Sequence, residues 1–266
     1  MAFRYYYADP TGNITLLAPL PSAETSLPEY AARLMALEPS AEQVGFLSAG
    51  SGDADITLQM AGGEFCGNAS LSAAAVFCLR HPESSEETRR VLVRVSGAAQ
   101  PVPVLIRQTA PASFEGTVSM PSPLSVLDRS FTTDDRFYLL TAVQFEGITH
   151  LISPLPMEKQ LAEAAIRQWC RELGADALGI IQLDLSCRTL KPLVYVRESE
   201  TLFWESSCAS GTAAAGACLR QKFGPGSWEF AEPAGTLKID APPDGGLYLT
   251  GHVRIEERQA DAGKRY

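Results

Sequence analysis

Apolar and polar positions along the chain fall into short runs broken by Pro and Gly, the pattern of a strand-rich protein with few helices. Strands are predicted over 3–8 and 14–18, on either side of the turn Asp9-Pro10-Thr11-Gly12-Asn13. Tyr30, Leu34 and Leu37 recur at helical spacing and predict a helix over 27–38. Ser26 is placed to cap its start, and Pro28 sits where a missing N–H does no harm. Residues 44–47 and 56–60 read as strands, followed by an Ala-rich helix over 68–79 that is too apolar to be exposed. Further strands are predicted over 91–95, 102–107 and 116–120.

After Met120-Pro121-Ser122-Pro123 the same order of elements begins again. Strands are expected over 137–143 and 148–152, an amphipathic helix over 157–173, and strands over 178–183 and 193–196. A second small-residue helix over 211–222 follows, then strands over 236–239 and 247–253. The reading is two pseudo-symmetric α+β halves, 1–123 and 124–266. Each is expected to have one outer amphipathic helix and one buried helix preceded by a cysteine. Such a duplicated plan would set two like sites opposite each other across a cleft.

Composition narrows the function classes. The chain has 266 residues, 45% of them hydrophobic, enough for one large or two ordinary cores. Its 22 Lys and Arg against 31 Asp and Glu give a net charge of −9, which argues against nucleic acid or an anionic membrane as partner. The opening residues Met1 to Tyr7 carry no apolar stretch of signal-peptide length, and nowhere do about 18 apolar residues follow one another, so a cytoplasmic protein is expected. Six cysteines without an export signal argue for free thiols rather than a disulfide framework. They form no C-x-x-C pair, and His81, His150 and His252 show no ligand spacing, so no metal is expected.

Two of those cysteines stand out by context. Cys66 lies in Gly63-Glu64-Phe65-Cys66-Gly67-Asn68-Ala69-Ser70, and Cys208 in Glu205-Ser206-Ser207-Cys208-Ala209-Ser210-Gly211-Thr212-Ala213. Each ends a loop just where an Ala-rich helix starts. The unpaired N–H groups and positive dipole end there favour a thiolate and can bind a carboxylate, while Gly67, Ala209 and Gly211 would let a ligand approach the backbone. Cys78, Cys170, Cys187 and Cys218 read as packed small hydrophobes. Two thiols flanking one cleft suit inversion at a carbon bearing hydrogen, in which one takes a proton from one face and the other delivers one to the opposite face. Neither a pyridoxal lysine nor a dinucleotide glycine fingerprint is evident, so no cofactor is expected.

At these residues the sequence resembles the diaminopimelate epimerase-like superfamily of cofactor-independent amino-acid racemases. Gly12-Asn13, Cys66-Gly67-Asn68, His150 and Cys208-Ala209-Ser210-Gly211 fall in that superfamily's order over nearly the whole chain. Within it, four strings are similar to the histidine racemases that make D-histidine for staphylopine-type opine metallophores: Pro10-Thr11-Gly12-Asn13-Ile14-Thr15, Glu42-Gln43-Val44-Gly45-Phe46, Glu64-Phe65-Cys66-Gly67-Asn68-Ala69, and Leu202 through Cys208. The resemblance implies a mostly antiparallel sheet wrapped around a central helix in each half, Cys66 and Cys208 as the catalytic pair, and a small amino acid as substrate. It further implies Asn13, Glu42, Gly67, Asn68, Glu205, Ala209, Ser210, Gly211 and Thr212 as substrate-binding residues. His150 is read as a structural histidine and left outside the catalytic set.

Departures from the diaminopimelate enzymes bear on the substrate. Where those have Glu-Arg-Gly and Gly-Asn-Pro-His, this chain has Arg197-Glu198-Ser199 and Gly147-Ile148-Thr149-His150, losing partners that a distal carboxylate would need. Ala209 stands where glycine is usual. Two further readings stay open at this level: an epimerase or isomerase of the same superfamily acting on another amino acid, such as diaminopimelate, and a non-catalytic ligand binder or redox switch in which the two thiols pair. A homodimer is left open too.

Overall fold

The computed structural model describes residues 2–22, 24–82 and 87–261. By packing, the chain divides into two compact units, one holding the residues up to Ser119 together with those from Thr250 onward, the other Met120–Leu249.

In the first unit, β1 (Ala2–Pro10) and β2 (Thr15–Pro19) form a hairpin, and β3 (Gln43–Ala49) runs parallel to β2. Next come β4 (Ile56–Met60), β5 (Arg89–Val95), β6 (Val102–Ala110) and β7 (Ser113–Ser119), each paired with its predecessor, β4–β5 in parallel and the rest antiparallel. The last strand described, β16 (Tyr248–Asp261), lies between β7 and β1. It pairs with β1 from Ala2↔Asp261 to Pro10↔Val253 and so closes the sheet into a ring. Through that ring runs α2 (Gly67–Arg80), packed on β1, β2 and β4 to β7. It is buried on nearly every side, as an Ala-rich segment without an apolar stripe requires. On the outside, α1 (Leu27–Leu37) places Ala31 and Leu34 on β3, with Tyr30 stacked on Phe46. Burying Leu34 alone stabilises the unit by about 2 kcal/mol. Ser26 does occupy the N-cap of α1, but its hydroxyl makes no capping bond.

The second unit repeats the scheme. Its sheet runs from β8 (Ser125–Thr133) through β9 (Arg136–Phe145), β10 (Ile148–Ser153), β11 (Ala177–Asp184) and β12 (Thr189–Val196) to β14 (Gly226–Glu232) and β15 (Gly235–Ala241). The short β13 (Thr201–Trp204) pairs with β12 as a side branch. The pairs β10–β11 and β12–β14 are parallel and the others antiparallel. Here the enclosed helix is α4 (Ala209–Phe223), packed on β8 to β11, β14 and β15. On the other face α3 (Lys159–Leu173) buries Ala162, Ala165, Ile166, Trp169 and Cys170, a stripe of helical period, and stops at Gly174 in the left-handed conformation. Trp169 is wholly buried and donates its indole N–H to the Thr132 carbonyl at 3.1 Å.

Three strands lie where no strand was expected: β8, β13 and β14. The second helix begins one residue earlier than expected, and α4 two residues earlier, so that Cys66 and Cys208 are their N-caps. The expected halves 1–123 and 124–266 differ from the compact units chiefly at the C-terminal strand. Its long antiparallel ladder with β1 carries the residues from Thr250 into the first unit. Among the described residues no helix is long and apolar enough to cross a membrane.

Candidate active site

In the first unit, extended backbone at Cys66 (φ −135°, ψ 116°) leads into α2, and its Sγ accepts the Ala69 N–H at 3.4 Å. The loop before it is anchored from the turn after β5: the Ser96 hydroxyl donates to the Glu64 carbonyl at 2.9 Å and accepts the Met60 N–H at 2.9 Å. Gly97, at φ +72°, presses on that loop so closely that a Cβ would stand 2.3 Å from the Phe65 nitrogen. Cys66 is left half-buried.

The structure joins Asn13 and Asn68, both buried, to Glu42. Asn13 donates its amide to Glu42 Oε2 at 2.6 Å, and its Oδ1 accepts from Gln43 at 2.6 Å and from Asn68 at 3.2 Å. Gln43, which sequence reasoning passed over, is thus the brace of this network and also donates to Thr15 Oγ1 at 2.8 Å. The Asn68 Oδ1 is buried with no hydrogen-bond partner, an acceptor whose desolvation is unrelieved in the free protein.

In the second unit Cys208 (φ −132°, ψ 102°) caps α4 in the same way, its Sγ accepting the Gly211 N–H at 3.3 Å. Gly211 has no room for a side chain, since a Cβ would lie 2.6 Å from Ile181 Cδ1 and 3.1 Å from the Cys208 sulfur. Its smallness serves helix-to-sheet packing as well as backbone access. Ala209 is buried beside it. Thr212, expected at the substrate, turns its hydroxyl inward to the Cys208 carbonyl at 2.8 Å and to Glu232 Oε1. Glu205 lies at the end of β13 beside Cys208 and lines a hollow of about 160 Å³ with Lys191, Pro192, Trp204, Ser206 and Pro233.

Helix N-termini favour thiolates, and the sequence reading expected a lowered pKa at both cysteines. For Cys208 the balance goes the other way. Burial pushes its thiol well above the ordinary value, and the carboxylates of Glu205 and Glu232 add to this. The Ser210 hydroxyl opposes them only in part. Cys208 is therefore a protonated thiol at neutral pH.

Two buried groups that sequence reasoning left out of the site stand behind Cys208. His150 on β10 is completely buried, and burial drives its pKa down to about 3, so the ring is neutral. Its Nε2 lies 2.9 Å from Ser210 Oγ, which is 3.6 Å from the Cys208 sulfur, while Nδ1 has no partner. Placing the ring proton on Nε2 leaves only a lone pair unmet, whereas the other tautomer would strand a buried N–H. In that arrangement His150 donates to Ser210, and Ser210 donates to Cys208. The second group is Glu232 at the end of β14, whose Oε2 accepts the Cys208 backbone N–H at 2.7 Å. Burial pushes its carboxyl up to about 8, with the hydrogen bonds from Thr212 and Cys208 opposing the rise.

His150 fits because the residue opposite it on β11 is Gly179. A Cβ there would lie 2.1 Å from Nδ1 and 2.8 Å from Cε1 of a ring already bounded by Phe145 and Ser210. Gly179→Ala is expected to cost about 1–3 kcal/mol of folding stability, the usual range for overpacking a filled core. An unshifted urea midpoint for that variant would show that the ring is free to move.

Two strand-wrapped helices, each capped by a cysteine, define the class of this protein. Solved structures of epimerases and of phenazine biosynthesis proteins share the fold. A hydroxyproline epimerase from Agrobacterium vitis with bound trans-4-hydroxy-L-proline superposes with a TM-score of 0.72 at 14% identity, over 99% of this chain and 93% of the other. A phenazine biosynthesis protein of the PhzF family from Bacillus anthracis does so with a TM-score of 0.65 at 11% identity, over 98% and 99%. The sequence goes further: residues 2–258 match the family model described as the histidine racemase CntK N-terminal domain. The chain belongs to the histidine racemase family. It is 32% identical over 254 residues to a histidine racemase from Fusobacterium nucleatum subsp. nucleatum, covering 93% of this chain and 92% of the relative. With a histidine racemase from Staphylococcus aureus it shares 28% over 271 residues, covering 97% and 95%.

Proposed function

We propose that this protein interconverts L- and D-histidine, with Cys66 and Cys208 as the two acid–base groups and no cofactor. The observation that carries the reading is the repeated cap: in each unit one cysteine starts the enclosed helix and takes an N–H of its first turn on sulfur. One sulfur, as thiolate, removes the α-hydrogen and becomes a thiol. The other, as thiol, gives its proton to the opposite face and becomes the thiolate. The carbon is inverted, the charge conserved and nothing oxidised, so the chemistry closes on the protein's own groups. The raised pKa of Cys208 suits it to the part of proton donor in the resting enzyme. N–H groups at the two helix starts would hold the α-carboxylate and spread the charge of the carbanion.

The rest of the site supports an amino acid with a cationic or N–H-bearing side chain. Asn68 Oδ1 is a ready acceptor for an ammonium, and Glu42 and Glu205 are carboxylates suited to an imidazole N–H. Ser199, Ile148 and Arg197 do not supply the arginine and amide that a distal carboxylate requires. Ser199 is hydrogen-bonded to Thr201 in an exposed turn, and Arg197 is paired with Asp176 at the surface. Incubated with L-histidine in heavy water, the purified protein is expected to give D-histidine carrying α-deuterium. Diaminopimelate under the same conditions should turn over at least about 100-fold more slowly, the scale of discrimination set by unpaired buried charge. Preference for diaminopimelate would overturn the substrate assignment, and absence of exchange with every amino acid would overturn the enzyme reading.

A further inference from the structure

The buried carboxyl of Glu232 serves no purpose that packing alone explains. It lies 24 residues beyond Cys208 in the chain, is 7% exposed, and has one oxygen on the Cys208 backbone N–H and the other on the Thr212 hydroxyl. The same hydroxyl is within 2.8 Å of the Cys208 carbonyl. A threonine hydroxyl has a single proton. When Glu232 is ionised, that proton goes to its Oε1, and the Cys208 carbonyl keeps only the Thr212 backbone N–H at 2.9 Å. When Glu232 is neutral, its own acid proton is given to Thr212 Oγ1, and Thr212 donates to the Cys208 carbonyl. Both carboxyl states hold Cys208, but only the neutral one leaves no negative charge beneath the sulfur.

We propose that Glu232 is the positioning residue of Cys208: as the neutral acid it clamps the first turn of α4 and lets the thiol exchange its proton, and as the carboxylate it keeps the thiol from ionising. The proposal rests on the reading of Cys208 as an acid–base thiol. Other charged groups on the surrounding elements are few. Glu205, before α4, adds negative charge to both Cys208 and Glu232. Lys191 on β12 lines the hollow beside Glu205, Arg188 precedes β12, and Glu229 is on β14 itself. On β15, Lys238 and Asp240 are paired with each other, and His150 reaches Cys208 only through Ser210. The raised pKa of Glu232 agrees with the geometry, since it places the change between the two forms near pH 8.

The test compares the native protein with Glu232→Gln, an isostere of the neutral acid. Thiolate absorbance at about 240 nm, titrated against the matching Cys208→Ser protein in each background, reads the ionisation of Cys208 without needing reagent access. The Gln variant is expected to lower the Cys208 midpoint by roughly one pH unit or more, the scale of a like charge removed from a buried neighbour. The fall in kcat for α-proton exchange above about pH 8 should vanish with it, at nearly unchanged KM. Glu232→Leu, which strands the Cys208 N–H, should lower kcat at all pH values, with Gln but not Leu restoring it. A Cys208 midpoint unchanged or raised in the Gln variant overturns the proposal. Should Cys208→Ser keep racemising, the acid–base reading falls by itself, while the Glu232 midpoint comparison still decides the coupling.

Discussion

Cys66→Ser and Cys208→Ser are each expected to lose at least about 100-fold in racemisation, because general acid–base groups contribute on that scale and a hydroxyl is far too weak an acid to replace a thiol. The two variants should not fail alike. Cys66→Ser takes away the half-buried sulfur of the first unit, while Cys208→Ser takes away the buried, protonated thiol that has Glu205 and Glu232 beside it. Deuterium exchange run separately from each enantiomer then shows which face each sulfur serves. Retained exchange from one enantiomer only is the expected signature of a single surviving base. Near-normal turnover in either variant would end the two-thiol scheme.

The pH dependence of stability should have an unusual shape, set by His150 and Glu232. His150 titrates at about 6.5 when unfolded and at about 3 when folded, so the unfolded chain binds the extra proton between those values. Its contribution is complete above pH 6.5 and is lost as pH falls toward 3. Glu232 titrates near 4.5 when unfolded and about 8 when folded, so the folded chain holds the extra proton, and stability drains away as pH rises across that window. Each slope is about 1.4 kcal/mol per pH unit, and the two cancel where they overlap. Stability is therefore expected to be flat between pH 4.5 and 6.5 and to fall on the acid side and again from 6.5 to 8, by on the order of a few kcal/mol on each limb. Cys208, raised as well, extends the alkaline decline above 9. Urea unfolding across this range checks the shape. Glu232→Gln should abolish the fall between 6.5 and 8 and extend the acid limb up to 6.5, since nothing then cancels His150, and an alkaline fall that persists in that variant would refute the assignment.

The parts of this protein that could be read from its sequence are those whose cause is local. A cysteine followed by small residues and an alanine run marks both enclosed helices, because such a segment can only be stable inside other structure. The strands that escaped notice lacked a local signal. Along β8 most side chains are exposed or half-exposed and only Phe131 and Thr133 are buried; β13 is four residues long on a side branch. The residues Glu229 and Glu232 give β14 the look of a polar connection. The same division holds in the site. Motifs mark Asn13, Glu42, Asn68 and Glu205; the first three are joined by hydrogen bonds, and Glu205 lies beside Cys208. Gln43 and Glu232 act through partners far along the chain, and nothing in Ala231-Glu232-Pro233-Ala234-Gly235 shows that the carboxyl is buried under Cys208. His150 was noticed, but its link to Cys208 runs through Ser210 and depends on Gly179, a register that only the sheet reveals.

The ladder between β1 and β16 joins the first strand described to the last. On a ribosome, the unit of residues 120–249 is contiguous and can complete its sheet as soon as it has emerged. The ring around α2 has no such freedom: Cys66 and its helix are synthesised early yet stay without their final wall until residues beyond 250 arrive. Of the two units, the one holding Cys66 therefore needs the later residues to close. Its Ala-rich helix lacks one wall until β16 is made, a long-range closure of the kind that slows folding and leaves strand edges open to wrong partners.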